Sequence, residues 1–177
     1  MRGNRWHLWW LFPLLSASVL GATGSHSQLI EAIQKADKTA VRSALQQHAD
    51  VNEPEPDGTT ALHWAVRLDD LETADLLIRA GANVKAATRY GVTPLSLACV
   101  NGNAALIDRL IKAGADPNAT SPEGETALMT ASRTGAVDAV NVLLSNGARV
   151  DAKENWKGQT ALMWASGEVT PRQARRW

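Results

Sequence analysis

The chain has 177 residues, 45% of them hydrophobic and 20% charged, with 18 basic side chains against 18 acidic ones. A chain of this length suits one domain, and its balanced charge offers no cluster of cations able to neutralise a nucleic-acid backbone. Its single cysteine, Cys99, excludes an internal disulfide, so an apolar core has to hold the fold.

Arg2 and Arg5 precede the apolar run Leu8 to Leu20 (LWWLFPLLSASVL), and small residues follow as far as Ala22-Thr23-Gly24. A basic start, a 13-residue apolar stretch and a small-x-small exit are the parts of a secretory signal peptide, placed at 1–24. Pro13 interrupts the run, which is shorter than the ~20 residues that span a bilayer core as a helix. The expected location is the periplasm of a Gram-negative bacterium or the exterior, after removal of the segment near Gly24. An uncleaved anchor and a buried N-terminal helix are the alternatives. Taking Arg2 and Arg5 from the 18 basic residues leaves 16 against 18 acidic, a net charge of −2 for residues 25–177.

Residues 25–54 carry two helical stretches between Gln28 and Glu53, ending in His48-Ala49-Asp50-Val51-Asn52. They are expected to cap an array, with Ala36 and Asp37 between the helices and Lys35, Lys38, Arg42, Gln46 and Gln47 on wetter faces.

From there the chain repeats itself. Gly58-Thr59-Thr60-Ala61-Leu62-His63-Trp64-Ala65 returns as Gly91-Val92-Thr93-Pro94-Leu95-Ser96-Leu97-Ala98, as Gly124-Glu125-Thr126-Ala127-Leu128-Met129-Thr130-Ala131 and as Gly158-Gln159-Thr160-Ala161-Leu162-Met163-Trp164-Ala165, in steps of 33, 33 and 34. Gly81-Ala82-Asn83-Val84, Gly114-Ala115-Asp116-Pro117 and Gly147-Ala148-Arg149-Val150 keep the same step of 33. Two markers with one period define units at 55–87, 88–120 and 121–154 and a partial, divergent one at 155–177. In each, Thr60, Thr93, Thr126 or Thr160 stands where a helix starts, and Pro94 suits a first helical position. A second helix follows with 3.6-residue periodicity: Leu71, Ala74, Leu77 and Ile78, then Leu106, Ile107, Leu110 and Ile111, then Val137, Val140, Leu143 and Leu144. Gly81, Gly114 and Gly147 end these helices, and loops carrying Asp57-Gly58, Tyr90-Gly91, Glu123-Gly124 and Lys157-Gly158 read as the tips of hairpin-like fingers.

The unit resembles the ankyrin repeat, with its Gly-x-Thr-Pro-Leu-His-x-Ala, Ile-Val-x-Leu-Leu-Leu and Gly-Ala-Asp-Val-Asn segments, over residues 28 to about 166. The resemblance implies an all-α solenoid of stacked helix-turn-helix units with β-hairpin-like finger loops. It also implies that His63 ties its own turn by a hydrogen bond to Thr60, while Ser96, Met129 and Met163 replace that histidine elsewhere. Asp69 stands where the glycine between the two helices is usual, a left-handed position that Asp tolerates. Pro171 can open a last outer helix, but Gln173, Ala174 and Arg176 occupy positions that are Ile, Val and Leu elsewhere. Glu168-Val169-Thr170 can be encoded so that the −1 frame gives the Gly-His of the motif. The expectation is an array truncated or frameshifted from a longer one.

No His-x-x-x-His, Cys-x-x-Cys or Glu-x-x-His pattern offers a zinc site, and no glycine-rich loop is spaced to cradle phosphate. Cys99 has no histidine partner placed by sequence and reads as a buried small hydrophobe; Asp57, Asp116 and Asp151 read as turn carboxylates. Neither catalysis, a cofactor nor a metal is expected.

What remains is a surface. By the resemblance, finger tips and inner-helix ends line a concave face for a protein partner, which maps here to Asp57, Arg67, Arg89, Tyr90, Asn101, Glu123, Arg133, Trp156 and Lys157. Tyr90 and Trp156 are the expected anchors, since aromatic residues dominate binding hot spots. Trp64 and Trp164 share the column of Leu97 and are expected in the core. The expected function is an exported, monomeric, non-catalytic protein-binding scaffold with no nucleic-acid partner, and no membrane contact unless the N-terminal segment stays. Two other readings are the ankyrin portion of a larger exported enzyme and a membrane-tethered structural element of the envelope.

Overall fold

The structure is a computed structural model that describes residues 22–167. The expected signal peptide lies outside the described residues except for Ala22–Gly24, and so does the tail 168–177. Nine helices follow in order among the described residues: α1 (Ala22–Gln34), α2 (Lys38–Gln46), α3 (Ala61–Arg67), α4 (Leu71–Arg79), α5 (Pro94–Asn101), α6 (Ala104–Lys112), α7 (Ala127–Thr134), α8 (Val137–Ser145) and α9 (Ala161–Ser166). The odd-numbered helices stack on one another as an inner row, the even-numbered ones as an outer row, and each inner helix from α1 to α7 pairs with the outer helix that follows it.

Local chemistry sets the boundaries. The threonines at 60, 93, 126 and 160 are the N-caps of the inner helices, each extended (φ −110, −108, −100 and −96°) just before the helix begins. Two outer helices also begin at polar caps, Asp70 accepting from the Thr73 amide at 3.1 Å and Asn103 from the Leu106 amide at 3.0 Å, whereas α8 begins at Ala136 without one. Between the paired helices the chain turns left-handed at Asp69 (φ 56°), Gly102 (φ 72°) and Gly135 (φ 71°), so the aspartate does hold the glycine position.

The core runs between the two rows and needs no globular centre. Leu62, Val66, Leu77, Leu106, Ile107, Leu110, Met129 and Leu143 are buried, each within one apolar cluster that extends from Leu29 to Ala161. Cys99 belongs to it, and burial pushes its thiol up to about 12. The residues expected on the wet face of the cap are largely exposed, but Lys38 and Arg42 both reach the Glu72 carboxylate of α4. That joins the cap to the first full repeat.

The fingers are closed by backbone hydrogen bonds, Glu55 N–H to Thr59 O (2.8 Å), Thr88 to Val92 (2.9 Å), Ser121 to Glu125 (2.9 Å) and Glu154 to Gln159 (3.1 Å). They are hairpin-like only in this sense. The one β-bridge outside named strands among the described residues joins Thr120 and Thr126.

A candidate protein-binding groove

His63 shows how the inner surface is built. Its ring is fully buried: Nδ1 accepts from the Thr60 amide at 3.2 Å and lies 2.9 Å from Thr60 Oγ1, while Nε2 is 3.1 Å from the Val92 carbonyl of the next finger. An amide can only donate and a carbonyl only accept, so the imidazole is neutral with its proton on Nε2. Burial holds its pKa below the ordinary histidine value, against the bond to Val92, and the ring therefore ties a turn and joins two repeats. Ser96 and Met129 do the first half of that work, their Oγ and Sδ accepting from the amides of Thr93 (2.9 Å) and Thr126 (3.4 Å).

Two side-by-side hollows form the concave surface. One, of about 270 Å³, lies between the second and third fingers, with Tyr90, Leu97, Val100, Glu123, Glu125 and Arg133 among its walls. The other, of about 660 Å³, is walled by Glu123, Glu125, Arg133, Trp156, Lys157 and Trp164 among others. Glu123, Glu125 and Arg133 belong to both, so the two are parts of one groove.

Of the nine residues expected to bind, the groove gathers Tyr90, Glu123, Arg133, Trp156 and Lys157. Tyr90 is 66% exposed and Trp156 74%, and each has a cation from its neighbour over its ring, Arg89 at 5.4 Å and Lys157 at 4.0 Å. Asp57, Arg67, Arg89 and Asn101 do not line either hollow. Asp57 holds its own finger, its Oδ1 accepting from the Thr59 amide at 2.8 Å, and that bond keeps its carboxyl below the ordinary range. Asn101 donates from Nδ2 to the Val66 carbonyl at 2.7 Å, closing the end of the preceding inner helix.

Trp64 and Trp164 correct the expectation of core residues. Both are half-buried, packed on the core along one side while the other carries a guanidinium, Arg67 at 5.0 Å from Trp64 and Arg133 at 5.8 Å from Trp164. The Trp64 indole donates to Glu55 Oε2 at 2.7 Å. Glu154, in the fourth finger, is instead drawn inward: it is buried, which raises its pKa, yet the amides of Gln159, Trp156 and Lys157 outweigh burial and hold it below the usual carboxylate value. The extra residue of that finger thus builds an internal clasp with Trp156 on its outside.

The loops do not adhere equally. Asn52 donates to the Gly81 carbonyl at 3.0 Å and accepts from the Asn83 amide at 2.7 Å; Asn118 repeats this with Gly147 (2.9 Å) and Arg149 (2.8 Å). The finger tips are joined by Arg89 N–H to Asp57 O (2.9 Å) and Asn155 N–H to Glu123 O (2.7 Å). At the middle junction, between residues 81–92 and 114–125, the corresponding positions hold Lys85, which has no acceptor, and Pro122, which has no N–H. The smaller hollow opens at that junction.

A family model described as "Ankyrin repeats (3 copies)" matches the chain over residues 29–121 and 95–170. The chain belongs to the ankyrin repeat family. It is 34% identical over 95 residues to the 2-5A-dependent ribonuclease of Homo sapiens, covering 53% of this chain and 13% of that protein. Against the Notch-regulated ankyrin repeat-containing protein of Xenopus tropicalis it is 34% identical over 84 residues, 44% of this chain and 74% of the other. The RelA-associated inhibitor of Mus musculus is 33% identical over 78 residues, 44% of this chain and 10% of the inhibitor. The matches to the ribonuclease and to the inhibitor thus span a small fraction of their length, whereas the match to the Notch-regulated protein spans most of it. Ankyrin repeats mediate protein–protein interaction and are typically non-catalytic.

Proposed function

We propose that this ankyrin protein is an exported, monomeric, non-catalytic scaffold that holds a protein partner in the groove between its second and fourth fingers. The observation that carries the reading is the continuity of the groove: two hollows share Glu123, Glu125 and Arg133 and end on the exposed rings of Tyr90 and Trp156. Each ring is held by an adjacent cation and stands on a finger closed by backbone hydrogen bonds, so little side-chain freedom is lost on docking. Two aromatics and an arginine are the side chains that most often dominate such contacts, each costing ~2 kcal/mol or more when truncated.

The test is the pair Tyr90→Ala with Arg133→Ala, measured against a partner first captured by cross-linking in an envelope extract and then purified. Affinity is expected to fall at least about 30-fold, the ~2 kcal/mol of one hot spot. Undiminished affinity with a folded variant refutes the groove as the binding site. Export rests on the N-terminal run: Leu11→Arg with Leu14→Arg is expected to retain the protein in the cytoplasm, because a charge inside such an apolar segment is costly to insert. N-terminal sequencing of the mature chain reads the cleavage point, and an unprocessed start at Met1 in the exported protein overturns the signal peptide.

A further inference from the structure

The charges of the groove are not used alike. Its cations are engaged with rings of the protein itself, Arg133 over Trp164 and Lys157 over Trp156. Its acids have no such counterpart. Neither Glu123 nor Glu125 forms an ion pair among the described residues, and no hydrogen bond among them reaches the carboxylate of Glu125, which is half-buried. A carboxylate drawn partly out of water without a counter-ion is costly, and a cation brought from outside removes that cost.

The third finger fixes both acids. Ser121 Oγ accepts from the amides of Glu123 and Glu125, each at 3.2 Å, and donates its own proton to Glu123 Oε2 at 2.9 Å, while the Ser121 amide donates to the Glu125 carbonyl at 2.9 Å. Glu123 Oε1 and both carboxylate oxygens of Glu125 are left without a donor among the described residues. The corresponding pairs in the other fingers are Asp57 with Thr59, Tyr90 with Val92 and Lys157 with Gln159, so two acids stand together only in the third. That finger is where the two hollows meet.

We propose, resting on the binding role given above to this groove, that the partner docks an extended segment whose arginine side chain enters the smaller hollow and is held by Glu123 and Glu125. The hollow offers both halves of such a side chain what they need: Leu97 and Val100 are apolar wall for its methylene stem, and the carboxylates take its charged head. Arginine fits better than lysine, because a planar guanidinium engages two carboxylate oxygens at once and stacks on a ring, and Tyr90 exposes one in the same hollow. An acidic segment would set its charge against two uncompensated carboxylates. Arg133 has five N–H donors and no acceptor among the described residues, so it serves the main-chain carbonyls of the segment, which a free cation lacks.

The test is an NMR titration of the full chain with the peptide Ac-Gly-Leu-Arg-Leu-Gly-amide and with its citrulline twin, which has the same shape and no charge. The arginine peptide is expected to bind at least about tenfold more tightly and to shift the signals of Tyr90 and Glu125. Glu123→Gln with Glu125→Gln should abolish that preference without lowering Tm, since an amide oxygen still accepts from Ser121 and the Glu125 carboxylate serves no bond of the fold. Equal binding of the two peptides, binding of neither, or a preference that survives in the double glutamine variant overturns the proposal. So does tighter binding of a glutamate twin, and so does spermidine shifting the same signals with equal affinity, which would make a free polyamine the ligand. The purified partner separates this proposal from the groove itself. Affinity lost in Tyr90→Ala with Arg133→Ala but kept in the double glutamine variant retains the groove and refutes the arginine, whereas affinity kept in both refutes the groove as well.

Discussion

Lys85→Asn should stabilise the protein, and the structure gives the size of the effect. Asn52 and Asn118 each bridge two loops with a donated and an accepted hydrogen bond, to the carbonyl 29 residues ahead and the amide 31 residues ahead. The same offsets from position 85 reach Gly114 and Asp116. An asparagine there would add two hydrogen bonds at a net ~0.5 to 1.5 kcal/mol each, and exposure of the site favours the lower end, about 1 kcal/mol in all. For a domain of this size that is a rise of roughly 2 to 4 °C in Tm. Thermal and urea unfolding read it directly, with Lys85→Ala as the control that removes the charge without adding the amide. Because the bonds cross a repeat boundary, hydrogen exchange of residues 81–92 and 114–125 should slow in the asparagine variant. A Tm no higher than that of the alanine control would refute the argument that the middle junction lacks a clasp its neighbours possess.

His63→Ala removes a ring that serves the Thr60 amide and the Val92 carbonyl, and should cost ~1 to 3 kcal/mol in chemical denaturation, with partner affinity retained by the folded protein. Burial depresses the folded pKa of His63, so the unfolded chain binds a proton first as pH falls: its contribution is complete above the unfolded value near 6.5 and declines below it, and the drop in Tm from pH 7.5 to pH 5 should shrink in His63→Ala. Cys99, fully buried with its pKa raised to about 12, should resist alkylation at pH 8 until the array unfolds; rapid labelling of the native chain would contradict its place in the core. Leu110→Ala, at a fully buried position in the middle of the array, should cost ~2 to 5 kcal/mol by equilibrium unfolding.

The architecture was legible because each of its signals recurs. A capping threonine, an apolar pair and a stopping glycine are local rules, and four repetitions in register make them hard to misread even where Asp69 replaces a glycine or Met129 a histidine. The bond of His63 to Thr60 was implied by the resemblance to the ankyrin repeat, and the structure shows it. The bond of the same ring to Val92 was not implied, since that contact depends on how the repeats stack. Asn52 was visible as part of a motif, yet its role as a clasp, shared with Asn118, and hence the meaning of Lys85, appears only when the loops lie side by side.

The groove was legible at its tips and not on its floor. Tyr90 precedes the turn glycine Gly91 and Trp156 stands two residues before Gly158, both at finger tips, so their exposure follows from local structure. Trp64 and Trp164 misled because burial tendency is a property of residue type, while the inner row of a solenoid has a face that is neither core nor periphery. A signal was present in the sequence beside the column: Arg67 follows Trp64 and Arg133 follows Thr130 by three residues, one helical turn, where a cation can lie along the same face. Asn101 erred in the opposite direction. Its place at the end of an inner helix marks it as a surface residue, but the carbonyls left free at that helix end compete for its amide, and Val66 takes it before any partner does. Position within the repeat decides which side chains can face a partner, and the hydrogen bonds between repeats decide which of them remain available to do so.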